Sequence, residues 1–173
     1  MSSPPRVDQK DLEILKYLVD DARLSQRAIA RAIGMSAPAV ADRIARLEAV
    51  GVIKGYRAQV DYALLDRSLM IIVGITSERS AAQRELARSL LKIPEVQSVD
   101  VVTGSLDLVV RLRVRDQSHL NEVFFDRLLQ FPGIRHTDSA LALYTYEPDN
   151  FARTVLSSLT EVSRAHQQTM EGQ

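Results

Sequence analysis

Residues 25–51 read SQRAIARAIGMSAPAVADRIARLEAVG, and the order of caps, apolar positions and stops in this stretch decides the fold. Ser25 is a helix cap, with Leu24 and Ile29 at the two staple positions around it. Gly34 follows at the place where a helix ends in a left-handed residue. Ser36 caps the next helix, with Met35 and Val40 as its staple. Pro38 falls in the first turn, where a missing amide donor costs little. Val40, Ile44 and Leu47 recur at helical spacing and form a buried stripe, and Gly51 stops the helix.

Upstream, Asp8 caps a first helix by accepting from an amide near Asp11, with Val7 and Leu12 as staple. Leu12, Leu15, Leu18 and Val19 form its apolar stripe, and Asp20-Asp21 ends it. The second helix, the Gly34-Met35 turn and the third helix have helix-turn-helix dimensions, in which the second helix of the pair faces the major groove. Its outward positions are Ser36, Ala37, Pro38, Ala39, Asp42, Arg43 and Arg46. The small residues permit close approach. Arg43 and Arg46 lie about one turn apart and can reach a base edge or phosphates. Arg43 can equally pair with an acid inside the domain. Downstream, residues 52–60 (VIKGYRAQV) read as an extended wing leading into a connecting strand, with Lys54 and Arg57 suited to phosphate. Ser25, Gln26 and Arg27 at the start of the second helix complete the expected DNA interface.

Charge supports this local reading although the whole chain balances, with 22 basic and 22 acidic residues among 173. Residues 22–60 carry seven basic groups (Arg23, Arg27, Arg31, Arg43, Arg46, Lys54, Arg57) against two acids (Asp42, Glu48), a surplus of five. Residues 63–173 carry 12 basic and 14 acidic groups. A basic module joined to a mildly acidic one suits a DNA-binding regulator. The 46% hydrophobic and 25% charged content excludes a disordered or collagen-like chain. The absence of cysteine removes disulfides, thiolate catalysis and the common structural zinc sites. No apolar run is long enough to span a membrane, and Met1–Arg6 lacks a signal-peptide core, so a cytoplasmic protein without membrane association is expected.

The second half has a different rhythm. Leu69, Ile71, Val73 and Ile75 alternate as a strand, and 80–93 reads as a helix with Leu86 and Leu90 on one face. Val99, Val101 and Thr103 alternate, Gly104-Ser105 turns, and Leu106, Leu108, Val110, Leu112 and Val114 alternate again. Residues 119–131 are helical, with Leu120, Phe124, Leu128 and Phe131 on one side. Ser139, Leu141, Leu143 and Thr145 give a last strand. The order is βαββαβ, a ferredoxin-like plait. An internal echo agrees: residues 90–96 (LLKIPEV) and 128–134 (LLQFPGI) match at every apolar position, each closing a helix and launching a strand. Asp149 or Asn150 caps a final helix, with Phe151, Val155, Leu159 and Val162 at helical spacing. An apolar stripe of this kind is expected to pack on the protein's own sheet or on a partner chain, with the polar end after Arg164 fraying.

The fold class is therefore α+β, with three parts. Residues 1–60 form a winged helix-turn-helix domain with its connecting strand, 61–148 a βαββαβ effector-binding and oligomerisation domain, and 149–173 a C-terminal helical tail.

Across residues 7–147 the sequence resembles the Lrp/AsnC, or feast/famine, transcription regulators. The resemblance rests on Asp8-x-x-Asp11-x-x-Ile14-Leu15, Asp21-Ala22-Arg23-Leu24-Ser25, Gly34-Met35-Ser36 and Val40-x-x-Arg43-Ile44-x-x-Leu47-Glu48-x-x-Gly51-Val52-Ile53-x-Gly55-Tyr56. In the second domain it rests on Thr103-Gly104-Ser105-Leu106-Asp107-Leu108 and Leu129-x-x-Phe131-Pro132-Gly133-Ile134-x-x-Thr137-x-Ser139. Leu106 and Leu108 are aliphatic forms of a hairpin pattern that usually places an aromatic residue at the first of these positions. The resemblance implies sequence-specific binding to double-stranded DNA and a RAM-type plait that senses an amino acid. It also implies a homodimer that assembles to tetramers or octamers. Two paired recognition helices would read half-sites about one helical turn apart.

By the same resemblance, the effector would sit between plaits of neighbouring chains near Thr103, Gly104, Ser105, Leu106, Asp107, Thr137 and Ser139. The turn amides would take a carboxylate, and Asp107 an ammonium or cationic group. Asp107 can instead simply fix the hairpin, as aspartate often does. Enzymes share this two-domain plan, including siroheme decarboxylases. His119, His136 and His166 show no metal spacing, however, and no nucleophile elbow or phosphate loop is present. No catalytic residue, metal or cofactor is expected. An architectural DNA-compacting protein without an effector is the remaining alternative.

Overall fold

A computed structural model describes residues 7–78 and 83–171, with side chains up to 161. Expectations for Met1–Arg6, for a helix start at Ser80 and for the side chain of Val162 lie outside the described residues and side chains. The chain divides into two units, Met1–Ala58 together with Tyr146–Gln173, and Gln59–Thr145.

The first unit holds α1 (Gln9–Asp20), α2 (Gln26–Ile33), α3 (Ala37–Ala49) and α6 (Phe151–Glu171). Each of the first three begins where its cap dictates. Asp8 and Asp11 form a reciprocal capping box on α1, each carboxylate accepting from the other's amide at 2.9 Å. Ser25 Oγ accepts from the Ala28 amide at 3.2 Å, and Ser36 Oγ from the Ala39 amide at 3.3 Å. Gly34 takes the left-handed conformation (φ 67°, ψ 41°) that ends α2 and aims α3. Ile14, Ile29, Ala30, Ile33, Val40 and Ile44 bury together, with Tyr17, Leu18, Leu24, Met35 and Ile53 around them. Each large apolar side chain so buried stabilises by about 1.5–3 kcal/mol.

Within the single chain the tail helix packs on α1 and not on its own sheet, the first of the two places expected for it. Asn150 Oδ1 accepts from the Arg153 amide at 3.0 Å and so caps α6. Asn150 Nδ2 donates to the Val19 carbonyl at 2.8 Å. Arg153 Nη1 reaches the Asp20 carboxylate at 2.5 Å and the Lys16 carbonyl at 3.2 Å. The reason is local: the last turn of α1 leaves the Val19 carbonyl without an intrahelical donor, and Asn150 supplies one, while Arg153 adds a further donor at Lys16 and a charge beside Asp20. Helix extends through Glu171, past the expected fraying point, across residues rich in helix formers. Phe151, Val155 and Leu159 remain exposed in the single chain.

The second unit is a four-stranded antiparallel sheet in the order β2-β3-β1-β4. Its strands are β1 (Leu69–Ser77), β2 (Val96–Val101), β3 (Leu108–Val114) and β4 (Ile134–Ala142). Helix α4 (Gln83–Leu90) and helix α5 (Gln117–Asn121), the latter continued by a π-helical turn (Glu122–Arg127) and a 3-10 turn (Leu128–Gln130), supply the cover. The alternation works as expected: Ile71, Val73, Ile75, Leu108, Val110, Leu112 and Val114 bury against Leu86, Leu90, Ile93, Val123 and Leu128.

Boundaries shift where turns decide them. The hairpin connection runs from Val102 to Asp107, wider than the Gly104-Ser105 turn that was expected, because the Asp107 amide donates to Ile75 O (2.9 Å) outside the hairpin. β4 starts at Ile134 rather than Ser139, directly after Gly133 at φ 93°. It ends at Ala142, opposite Met70, where the β1 ladder runs out. α5 begins earlier than expected, since Asp116 caps it by accepting from the His119 amide at 2.8 Å. The connecting segment expected as a strand has no ladder partner between Lys54 and Val60 among the described residues.

Candidate nucleic-acid interface and effector loop

The recognition candidate is α3. Its cap and Pro38 leave Ser36, Pro38 and Asp42 exposed and Ala37 and Ala39 half-buried, while Val40, Ile44 and Leu47 anchor the opposite side. Ser25, Gln26 and Arg27 are exposed at the start of α2, as are Arg31, Lys54 and Arg57. Arg27, Arg31, Lys54 and Arg57 make no ion pair among the described residues. Tyr56 hydrogen-bonds Glu48 at 2.9 Å and so ties the segment after α3 back to that helix. Burial, then the Glu48 carboxylate, pushes the Tyr56 phenol up.

Arg43 and Arg46 are placed differently. Arg43 Nη1 lies 2.8 and 2.6 Å from the two Asp8 oxygens and 2.8 Å from Asp11 Oδ1. Arg46 Nη2 pairs with Asp11 Oδ2. The Asp11 side chain is fully buried, whereas 28% of Arg43 and 44% of Arg46 remain accessible. Burial raises the Asp8 carboxyl, but the Arg43 hydrogen bond, the Asp11 amide and the Arg43 charge together hold it below its ordinary value. Asp8, Ala39, Asp42, Arg43 and Arg46 line one open cleft of about 690 Å³. The intradomain ion pair left open for Arg43 is therefore formed, and its acids are Asp8 and Asp11, residues that the sequence marks only for capping and for the family motif.

At the other site, Asp107 is a lock on the hairpin. Its Oδ2 accepts from the Ser77 amide at 2.7 Å and the Ser77 hydroxyl at 2.9 Å, and its Oδ1 from Gln83 Nε2 at 2.6 Å. The Ser77 amide, the Ser77 hydroxyl and Gln83 hold its carboxyl below the ordinary carboxylate value, and the Arg135 charge adds to this. The hairpin role left open as an alternative is therefore filled. Thr103, Gly104 and Ser105 are exposed at the turn, and Gly104 has φ 117°. Leu106 is half-buried over Gly74, where an added Cβ would lie 2.7 Å from Leu106 Cδ1. On β4, Thr137 pairs with Ile75 of β1 and Ser139 with Val73 of β1, so both candidates stand beside the strand that the hairpin abuts. Arg135, not singled out before, brings a cation to this end of the sheet. His119 is buried and shares a 3.0 Å contact with Glu95, while its Nδ1 accepts from the Arg115 amide, a structural arrangement.

Comparison with known proteins agrees with this geometry. Residues 7–54 match a winged helix-turn-helix DNA-binding model, and 69–152 match the Lrp/AsnC ligand binding domain. The chain is 30% identical over 146 residues to the leucine-responsive regulatory proteins of Escherichia coli K12 and Serratia marcescens, covering 83% of this chain and 89% of theirs. The fold superposes on AsnC of E. coli with a TM-score of 0.78 at 20% identity, covering 84% of this chain and 98% of that one. A feast or famine regulatory protein from M. tuberculosis, complexed with L-methionine, gives a TM-score of 0.75 at 29% identity, covering 83% and 97%. With helix-turn-helix, plait and full-length relatives all in agreement, the chain belongs to the Lrp/AsnC family of transcriptional regulators.

Proposed function

We infer that this protein acts as a regulator rather than an enzyme. It binds double-stranded DNA with sequence preference through α3 and adjusts its assembly or DNA affinity to an amino acid. The observation that carries the reading is the capped α2–turn–α3 element. Its small-residue outer face is flanked by the exposed, unpaired cations Arg27, Arg31, Lys54 and Arg57. Ser25, Gln26, Arg27, Lys54 and Arg57 would hold phosphates, which set register. Ser36, Ala37, Pro38, Ala39, Asp42, Arg43 and Arg46 would meet the groove.

The effector reading draws on the family model over 69–152 and on the L-methionine complex of the M. tuberculosis neighbour. The amino acid would lie at Thr103, Gly104, Ser105, Leu106 and Asp107, with Thr137 and Ser139 close by. The turn amides would take its carboxylate, and Asp107 would contribute charge while holding the loop. A homodimer assembling further would place two recognition helices on one duplex and raise affinity through effective concentration. No helix among the described residues is long and apolar enough to cross a membrane, which suits a protein acting on DNA in the cytoplasm.

The test is fluorescence anisotropy with the DNA upstream of the protein's own coding region and a scrambled duplex, each with and without the pooled twenty amino acids. Preferential binding that the pool shifts is the expected result. Equal binding to both duplexes, unmoved by the pool, would replace this reading with an architectural role.

A further inference from the structure

The cations of the DNA-binding unit fall into two sets. Arg27, Arg31, Lys54 and Arg57 are exposed and make no ion pair among the described residues. Arg43 and Arg46, the two on the recognition helix, are bound by carboxylates from the start of α1, 32 to 35 residues away in sequence. The buried Asp11 carboxylate requires such pairing, since an unpaired buried charge is strongly unfavourable. It is also held by the Asp8 amide and by the positive end of α1. Two acids and two bases cancel, so the middle of α3 offers phosphate little net attraction.

Resting on the DNA-binding reading above, we propose that Asp8 and Asp11 are positioning residues for DNA readout. They hold the Arg43 and Arg46 forks in place and withhold their charge from indiscriminate phosphate contact. An arginine has five N–H donors in a rigid fork. One nitrogen of Arg43 is spent on Asp8 and Asp11, and the remaining donors still fit the paired acceptors of a guanine edge. A phosphate gains little from a guanidinium whose charge is already met, whereas a base edge recognises donors by geometry. The pairing therefore tilts α3 from attraction toward discrimination, and the unpaired flanking cations supply the attraction.

The experiment uses the full chain, a duplex that the wild-type protein selects from a random library, and a scrambled duplex of the same composition, titrated over a range of salt. Asp8→Asn keeps a capping oxygen and removes the charge. Its affinity for the scrambled duplex is expected to rise about three- to tenfold, with the salt slope steeper by about one as Arg43 turns to phosphate. The selected-to-scrambled ratio falls. Asp11→Asn is expected to do the same for both arginines, with a thermal melt confirming that it folds; if it does not fold, Asp8→Asn carries the test. In an Arg43→Gln background the Asp8→Asn gain should vanish. An unchanged ratio and slope would overturn the proposal. So would a gain that persists in Arg43→Gln, since Asp8 would then act through its own repulsion of DNA. A wild-type protein that selects no duplex would bring down the DNA-binding reading itself, and this inference with it.

Discussion

Asp107 and Ser77, thirty residues apart, are joined twice: the Ser77 amide and hydroxyl both donate to one carboxylate oxygen of Asp107, at 2.7 and 2.9 Å. This fixes the β2–β3 hairpin to the end of β1 without any ligand. Asp107→Ala is therefore expected to lower the melting temperature of the ligand-free protein and to speed exchange of the Ser77 amide. The sign with pH follows from the Asp107 carboxyl being depressed by Ser77 and Gln83. Its contribution is present above the unfolded value of about 3.9 and is lost as pH falls through the lower folded value. The gap in melting temperature between wild type and Asp107→Asn should close over that acidic window and stay constant above it.

Gly74 and Leu106 test the same loop from the other side. A Cβ on Gly74 would sit 2.7 Å from the end of the Leu106 side chain, so Leu106 must move. Because Leu106 is half-exposed and flexible, Gly74→Ala is expected at the low end of overpacking costs, about 1 kcal/mol. Leu106→Ala in the same chain should recover it. Chemical denaturation of the two single variants and the double variant checks this, with non-additivity as the signature.

On the DNA side, Lys54→Ala and Arg57→Ala should weaken binding to every duplex alike and flatten the salt slope by about one unit each. Anisotropy titrations at three or more salt concentrations give both quantities. A change in base preference from either variant would mean that these side chains reach into a groove.

The helix ends should report locally. Ser36→Ala removes the Ala39 amide's acceptor and is expected to cost about 1 kcal/mol. Gly34→Ala forces a Cβ into the left-handed region and should cost about 1–2 kcal/mol, although open space surrounds the site. Thermal melts of the full chain measure both.

Asn150 both caps α6 and donates to the Val19 carbonyl of α1. Asn150→Ala should cost about 0.5–2 kcal/mol. Asn150→Asp keeps the cap, loses the donor and sets a second negative charge beside Asp20, so helicity of α6 should survive while its docking on α1 weakens. Arg153→Ala, which breaks a half-exposed pair with Asp20, should cost at most about 1 kcal/mol.

These residues also mark how far reading the chain could go. Asp8, Ser25, Ser36 and Gly34 act on neighbours three or four residues away, and that short reach makes the helix-turn-helix legible in the sequence alone. The alternation in β1 and β3 was legible for the same reason, since burial of Ile71, Val73 and Ile75 follows directly from the pleat. What stayed hidden depends on long separations. Nothing near Arg43 in sequence announces Asp8 or Asp11, and nothing near Asp107 announces Ser77. The docking of α6 on α1 rests on polar donors meeting the open end of that helix, which the apolar stripe does not announce; Phe151, Val155 and Leu159 stay exposed in the single chain. β4 was placed too late because its start depends on Gly133 and its end on the length of β1.

The return of the chain to its first unit has a consequence for synthesis. Helices α1 to α3 leave the ribosome first, but α6, which belongs with them, follows the entire plait. Domains generally fold as units during synthesis, in order of emergence. Here the Val19 carbonyl at the open end of α1 waits for Asn150, and Asp20 for Arg153, until the intervening sheet has been made. The module that precedes the plait is thus finished only after it, and a nascent chain carries an incomplete DNA-binding unit until the plait behind it has emerged.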